Sequence, residues 1–439
     1  MSVPTPSLVA LGTDVAKLAT TFQEQLDGAG LEQPSLESTG RTHYLDILEN
    51  AGAVEARTKL IEACRSLLTL AQGPIDTLLV SIKANMLNIG VLRAIYQLRI
   101  AEAVPLDRSI SIPNLAARLS VHADALRRLI RFAFTQSIFR EPAGLPDHVE
   151  HTAISAAIPS ISPTMWLYLG DTMKIPPASL HFADSLSLET WPRPPLSFSD
   201  PTARNLWSII KEDEPDGRGM EAFANAMKAT LQYSQGDPGL FLAKAFDWAG
   251  LGDGAVVVDV GGGNGHNAVS LAKSFPNLKL VVQDMEKNEH AAAELIQQAD
   301  LAGTGKVTFQ GHDFFKPQPD DTLTSNPRVY LVSRVLHDWS DEDSVQILQN
   351  LIPAMKGLRT KLLVVDRVLP DRPGDMPLHQ EAQMRAMDLN MFLMFGNAGE
   401  RSREQWVSLF RAADERLEIT SVYTPPGSEL SVVQVEIVK

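Results

Sequence analysis

The residues most able to do chemistry in this chain gather where an apolar run meets a glycine cluster. Val256-Val257-Val258-Asp259-Val260 leads directly into Gly261-Gly262-Gly263-Asn264-Gly265-His266. The run reads as a strand, and a helix is expected to start at about Asn267. Glycines at such a junction allow a tight turn and let a ligand come close to the backbone. The spacing is Asp-x-Gly-x-Gly-x-Gly. A dinucleotide fingerprint, Gly-x-Gly-x-x-Gly, would need glycine where His266 stands, which argues against NAD. The next apolar run ends at Asp284, about twenty residues beyond the loop, where an acid can accept hydrogen bonds from both hydroxyls of a ribose. A glycine loop alone is weak evidence; with an acid at the next strand end it is much stronger.

The elements that must position these residues follow from the pattern after about residue 250. Candidate strands are Ala255–Asp259, Leu278–Gln283, Val307–Gln310, Val329–Ser333, Leu362–Asp366, Ile419–Tyr423 and Ser431–Val438, with helical stretches between most of them. Such alternation predicts a mostly parallel, doubly wound α/β sheet. The fold class expected is therefore a Rossmann-like domain over 246–439. Before it, residues 1–160 read as mostly helical, with a winged-helix-like segment at about 75–155, and 161–245 as a helical connector. Val15–Phe22 and Val54–Leu70 carry apolar residues at helical steps, and Pro74 opens a helix through Leu78, Ile82, Met86, Ile89, Leu92 and Ile95. That last helix is apolar on more than one face, which suits either a core helix or one packed against a second subunit. In the winged segment Ser111 caps Asn114–Leu119, Ala123–Phe134 follows, and Ser137–Arg140 and His151–Ile154 are candidate wing strands. The Pro-rich stretch Trp191–Pro201 and further helical patterns at Ala203–Lys211 and Gly219–Leu231 complete the connector, before a turn signal at Gly236–Gly239.

Composition narrows the partners. The chain has 439 residues and a formal net charge of −14, from 39 Lys+Arg against 53 Asp+Glu, so a polyanion would be repelled. Arg127, Arg128 and Arg131 lie on the second helix of the winged segment, but Asp124, Glu141, Asp147 and Glu150 balance them locally. Nucleic-acid binding is not expected. Cys64 is the one cysteine, which excludes an intrachain disulfide and a multi-cysteine zinc cage and fits a reducing cytoplasm. No run of eighteen or more apolar residues occurs, and the start lacks the pattern of a secretion signal, so no membrane span is expected.

With these blocks in view, the chain resembles the class I S-adenosylmethionine-dependent O-methyltransferases, in particular the plant and fungal enzymes acting on phenols and polyketides. Five blocks match in order. Asp259–Gly265, with Gly261, Gly262 and Gly263, resembles the cofactor loop. Asp284 resembles the ribose-binding acid, and Gly311-His312-Asp313-Phe314-Phe315 the block whose Asp313 and Phe314 hold the adenine. His337-Asp338-Trp339-Ser340-Asp341 resembles the catalytic histidine block, and Gly399-Glu400-Arg401-Ser402 the late acidic block. The resemblance implies S-adenosyl-L-methionine as cofactor, no metal, and a small-molecule acceptor. A phenol has a pKa near 10, so a positioned base helps at neutral pH, and histidine is the natural choice. His337 follows Val329–Ser333 by a short turn, near the carboxyl end of the sheet, where ligands of open α/β sheets bind. By resemblance Asp366 and Glu400 are the acids that orient it, and Met387 and Met391 fall where the family lines its acceptor pocket. On bland readings Asp338 caps the following helix, Trp339 packs, Glu400 pairs with Arg401 or Arg403 at the surface, and the methionines are core.

Two departures stand out. The family's basic residue four positions before the histidine is Ser333 here, with the arginine displaced to Arg334, and its usual glutamate is the shorter Asp366. Some fungal members are pericyclases that do not transfer methyl, and the departures leave room for that alternative. The family's amino-terminal helices interlock in a twofold dimer, so the resemblance also implies a homodimer built on residues 1–100.

Overall fold

The computed structural model describes residues 7–40, 47, 50–160, 174–212, 238–320, 326–355, 360–425 and 428–438. The helix expected at Gly219–Leu231 and the first half of the turn at Gly236–Gly239 lie outside them; Pro238 begins a helix, Pro238–Ala245. The chain divides into two compact units, Met1–Thr172 and Met173–Lys439.

In the first unit, Leu8–Gly28 is a helix capped by the Ser7 hydroxyl, which accepts from the Ala10 N–H. It buries Phe22 and Leu26 with Ile47, Ala53 and Ala56. A long helical stretch, Ala51–Gln97, follows and is broken at Gly73 (φ 71°, ψ 173°), just before Pro74. Glycine reaches this left-handed φ without strain, and proline then starts a new helix at no loss, since its missing N–H has no partner in a first turn. Beyond the break, Ile75, Leu78, Ile82, Met86 and Ile89 are each more than half exposed. The core-helix alternative is therefore incorrect for the single chain over this stretch, and only the carboxyl end, Ile95, enters the core with Ile100, Leu115, Ile130, Phe139 and Val149.

The winged segment comprises helices Ile112–Leu119 and Ala123–Thr135 and three short antiparallel strands, β1 (Ile110–Ser111), β2 (Phe139–Arg140) and β3 (His148–His151), in the order β1-β3-β2. The second wing strand lies earlier than expected. Thr152 does not extend it but caps a helix, Ala153–Ala157, through a capping box with Ser155. Arg127 forks onto Asp147 at 2.7 and 2.9 Å, and Arg140 bonds Glu150 and Glu37, each at 2.6 Å. These arginines are neutralised within the unit.

The second unit is built on a seven-stranded sheet: β4 (Val256–Val260), β5 (Lys279–Asp284), β6 (Val307–Gly311), β7 (Val329–Ser333), β8 (Lys361–Asp366), β11 (Leu417–Tyr423) and β12 (Ser431–Ile437). Two further short strands, β9 (Val368–Leu369) and β10 (Arg401–Ser402), pair in parallel beside it. The sheet order is β11-β12-β8-β7-β4-β5-β6. The pairs β4–β5, β4–β7, β5–β6 and β7–β8 are parallel, and β12 runs antiparallel to both its neighbours. All seven expected strands are present, with ends within two residues of expectation. Val257, Leu280, Leu331 and Leu363 bury one face, and Val258, Val260, Tyr330, Val332 and Val364 the other. Burial on both faces explains why these strands read as continuous apolar runs. The chain winds outward in opposite directions from β4 and β7, so a crevice opens at the carboxyl ends of these two strands.

Candidate active site

The glycine turn leaves β4 at that crevice. Gly261, Gly263 and Gly265 adopt φ of 68°, 56° and 84°. A β-carbon on Gly261 would lie 2.8 Å from Val335 Cγ2, and one on Gly262 2.8 Å from the Asp259 carboxylate, whereas Gly263 faces open space. Asp284, at the end of β5, accepts from the Gly263 N–H through Oδ2 and from Met285 N–H and Asn288 Nδ2 through Oδ1, each at 2.7 Å. A carboxylate has about four acceptor positions. One therefore stays open for a ligand hydroxyl, and a second hydroxyl needs exchange with one of these donors. Asp259 is buried, and neither of its oxygens has a hydrogen-bond partner. Burial, helped by the Asp284 charge, pushes it up to about 7, against the pull of Arg334.

After β6, Asp313 accepts from the Phe315 N–H at 3.0 Å. Phe314 meets Trp339 edge to face at 5.8 Å, and Phe315 meets the same ring at 4.8 Å. Trp339 is thus a packing residue that backs the Phe314 wall. Phe314 also lies beside the Gly261 turn, 3.5 Å from where a β-carbon there would stand. Arg334 leaves β7 with φ 54°, and its N–H donates to Val365 O at 2.8 Å. Its guanidinium feels burial first, which lowers its pKa, then the opposing field of Asp366, the like charge of Arg367, and the fields of Asp338 and Asp259. It therefore connects the glycine turn electrostatically with the histidine site.

His337 sits on a single turn, Leu336–Asp338, beyond the end of β7. Its Nδ1 lies 3.0 Å from Glu400 Oε1 and 3.5 Å from Asp366 Oδ1, and its Nε2 lies 3.6 Å from Asp338 Oδ1. Only the Glu400 contact is a hydrogen bond. Burial pushes Asp366 up to about 7 and Asp338 up to about 6. Glu400 moves the other way: burial opposes its charge, but His337 and Arg367 outweigh it and hold the carboxylate below its usual range. Burial alone would lower His337; Glu400, Asp366 and Asp338 together outweigh it and push the imidazole up to about 9. The three carboxyls therefore favour the protonated imidazole. The ligand atoms of His337, Asp366 and Glu400 lie within 4.8 Å of one another, close enough to share a cation. Glu400 Oε1, however, already takes both His337 and Arg367.

Helix Leu378–Phe395 flanks this site. Asp388 Oδ1 accepts from the Glu400 N–H at 3.0 Å and so ties the helix to the acidic block. Met384, Met391 and Met394 are buried, while Met387, one residue before Asp388, is half-buried. Further along, Phe392 contacts Phe182 at 5.7 Å and Trp191 at 5.9 Å, and Phe395 meets Trp207 at 5.5 Å, an aromatic cover from the connector.

Two family models match this sequence: an O-methyltransferase domain over residues 197–414 and an O-methyltransferase dimerisation domain over residues 85–158. The O-methyltransferase aurJ of Gibberella zeae is 31% identical, with 99% of each chain covered. The O-methyltransferase bfoD of Aspergillus brasiliensis is 34% identical over 87% of this chain and 88% of its own.

The chain belongs to the O-methyltransferase family.

Solved structures share its fold. OxaC superposes with a TM-score of 0.74 at 19% identity, covering 98% of this chain and 99% of its own. NcsB1, an O-methyltransferase from neocarzinostatin biosynthesis, crystallised with S-adenosylmethionine and 2-hydroxy-5-methyl naphthoic acid, gives 0.62 at 23%, covering 80% and 96%. In this O-methyltransferase the structure brings His337, Asp366 and Glu400 together, and separately places Asp284 against the glycine turn. It corrects two bland readings. Ser340, not Asp338, caps helix Asp341–Leu351, and Glu400 is buried rather than paired at the surface. Sequence reasoning missed Arg367, gave Arg401 only a surface pairing with Glu400, and did not place Asp338 at the imidazole. Arg401 bonds Asp341 Oδ1 at 2.9 Å, Leu336 O at 2.8 Å and Trp339 O at 3.0 Å, clamping the histidine turn. Each missed residue adjoins one already singled out, which was the only available signal.

Proposed function

We propose that this O-methyltransferase uses S-adenosyl-L-methionine to methylate a phenolic or enolic hydroxyl of a small polyketide-type metabolite, with His337 as general base. The observation that carries the reading is the His337–Glu400 hydrogen bond at 3.0 Å, at the carboxyl end of the sheet. Donation of Nδ1–H to Glu400 leaves Nε2 to receive a proton from the acceptor. The residues present fit the cofactor. Asp284 keeps an acceptor position for a ribose hydroxyl, Gly263 opens onto free space, and the orphaned Asp259 oxygens call for a donor. Asp313 and Phe314 would hold the adenine, with Arg334 setting the charge behind them. When bound, the cofactor supplies a methyl group on a sulfonium. His337 at about 9 is too basic to stand free at neutral pH, and an added positive charge in the site lowers it toward the working range. Met387 and Met391 would border the acceptor.

The three carboxyl groups within 3.6 Å of the His337 ring nitrogens, which favour its charged form, also favour a second reading. A protonated imidazole donates a hydrogen bond better than it accepts a proton, which suits a pericyclase that binds the cofactor without consuming it. The distinguishing experiment incubates the enzyme with methyl-labelled S-adenosylmethionine and a panel of dihydroxynaphthalenes. Label in an O-methyl product supports the first reading; conversion of the acceptor without label supports the second.

The apolar face beyond Pro74 fits a homodimer interface. The dimerisation model begins at residue 85, within the same helix as exposed Met86 and Ile89. This helix is long and apolar enough to cross a membrane by composition. Its overlap with the dimerisation model supports a second subunit rather than lipid as the cover.

A further inference from the structure

We propose that Arg367 is a positioning residue for the reaction, anchoring the Glu400 carboxylate that fixes the His337 imidazole; this rests on the reading of His337 as the base. Glu400 is 4% exposed, and its Oε1 takes two bonds, from His337 Nδ1 at 3.0 Å and Arg367 Nη1 at 3.1 Å. Its Oε2 has no partner. A carboxylate so removed from water takes up a proton unless a cation offsets the loss. Asp366 shows that outcome one residue before Arg367: it is fully buried, neither oxygen is hydrogen-bonded, and it is pushed up to about 7. Both acids lie within reach of His337. The bonded arginine distinguishes them.

Arg367 is itself held. Its Nε and Nη2 donate to Glu429 Oε2 at 3.2 and 3.0 Å, from the segment that enters β12. A guanidinium gripped at one side presents its remaining donor in a fixed direction. The other charged groups around Glu400 do not duplicate it. Asp388 accepts from the Glu400 backbone, and Asp338 stands by the far nitrogen of His337. Arg401 directs its donors to Asp341, Ser344 and the carbonyls of Leu336 and Trp339. Arg334 reaches these acids only through its field. Among the described residues Arg367 is thus the cation whose side chain bonds the Glu400 carboxylate besides His337. It makes Glu400, rather than Asp366, the partner of Nδ1, and so leaves Nε2 toward the acceptor.

The test is a pH titration of ¹⁵N-imidazole resonances in the full-length protein, with His337→Gln identifying the His337 signals among the 10 histidines. Removing a nearby cation increases the proton affinity of the whole cluster. Arg367→Met should therefore raise the His337 midpoint by about one unit or more. Arg367→Lys keeps the charge and should stay at the wild-type midpoint. Glu429→Gln removes an anion, keeps Arg367, and should move the midpoint down. In turnover, the acid limb of kcat should follow these shifts while KM for the acceptor stays unchanged, a split that a purely structural role would not give. An unmoved midpoint in Arg367→Met, or shifts of the same sign in Arg367→Met and Glu429→Gln, would overturn the proposal. Should Arg367→Met fail to fold, Arg367→Lys and Glu429→Gln still decide it by whether the one stays and the other falls. Methyl transfer surviving in His337→Gln would instead overturn the base reading itself, whatever the midpoints show.

Discussion

Asp259→Asn isolates the energetic strain stored beneath the cofactor turn. Asp259 is 1% exposed, its oxygens lack partners, and burial pushes its carboxyl up to about 7 from a reference value of 3.8. Because the folded value is raised, the folded state retains a proton that the unfolded chain releases from about pH 4 upward. The sign is then fixed: stability contributed by this group is present below the unfolded value and lost as pH rises through the folded one. The full shift corresponds to on the order of 4 kcal/mol, of which roughly 2–3 kcal/mol is lost between pH 5 and pH 8. Asparagine does not ionise. The melting temperature of Asp259→Asn relative to wild type should therefore rise with pH, by roughly 5 °C over that interval for a unit of this size. Differential scanning calorimetry of the cofactor-free protein at pH 5, 6, 7 and 8 measures it, with the difference at matched pH as the quantity of interest. A difference that stays flat across the interval would refute the claim that Asp259 is buried without a partner.

Three further outcomes are expected. Asp284→Ala should weaken S-adenosylhomocysteine binding by about 1–3 kcal/mol in titration calorimetry, and an unchanged affinity would remove Asp284 from the cofactor site. Gly261→Ala meets both a left-handed φ and the Val335 methyl 2.8 Å away. It should cost about 1–3 kcal/mol of stability and reduce cofactor affinity, whereas Gly263→Ala, which meets the left-handed φ but no neighbouring atom, should cost less stability and still reduce affinity. Light scattering at micromolar concentration should report twice the 48.0 kDa chain mass, and replacing Met86 and Ile89 with lysine should yield monomer.

The central strands β4, β7 and β8 were legible because they are buried on both faces and stand out as apolar runs, whereas the edge strands β6 and β11 mix polar with apolar residues and were read from their β-branched content and the turns around them. Asp259, Gly261 and Asp284 could be read because a tight turn and a strand end leave a fixed spacing. The histidine cluster was legible only in part. His337 and Glu400 are separated by 63 positions, and their meeting depends on β7, β8 and β10 converging, which no local pattern encodes; family resemblance supplied that pairing. Arg367 was invisible because an arginine after a strand ordinarily reaches solvent, and its two acidic partners come from distant segments. The helix beyond Pro74 remained open between two readings because apolar spacing alone does not say which chain covers it. The shift of the second wing strand has a local cause: Thr152 and Ser155 form a capping box that competes with strand extension.

The proposed function turns on His337 acting as a base in methyl transfer. It is tested most directly by following wild type and His337→Ala with an acceptor from the naphthol panel, counting S-adenosylhomocysteine and methylated product across pH. With His337 as the base, one S-adenosylhomocysteine should be released per product, and the rate should rise with pH as the imidazole loses its proton. His337→Ala should lose roughly 10²–10⁴-fold in rate with cofactor affinity unchanged. Acceptor turnover without S-adenosylhomocysteine release, or a rate that falls as pH rises through the imidazole titration, would contradict it.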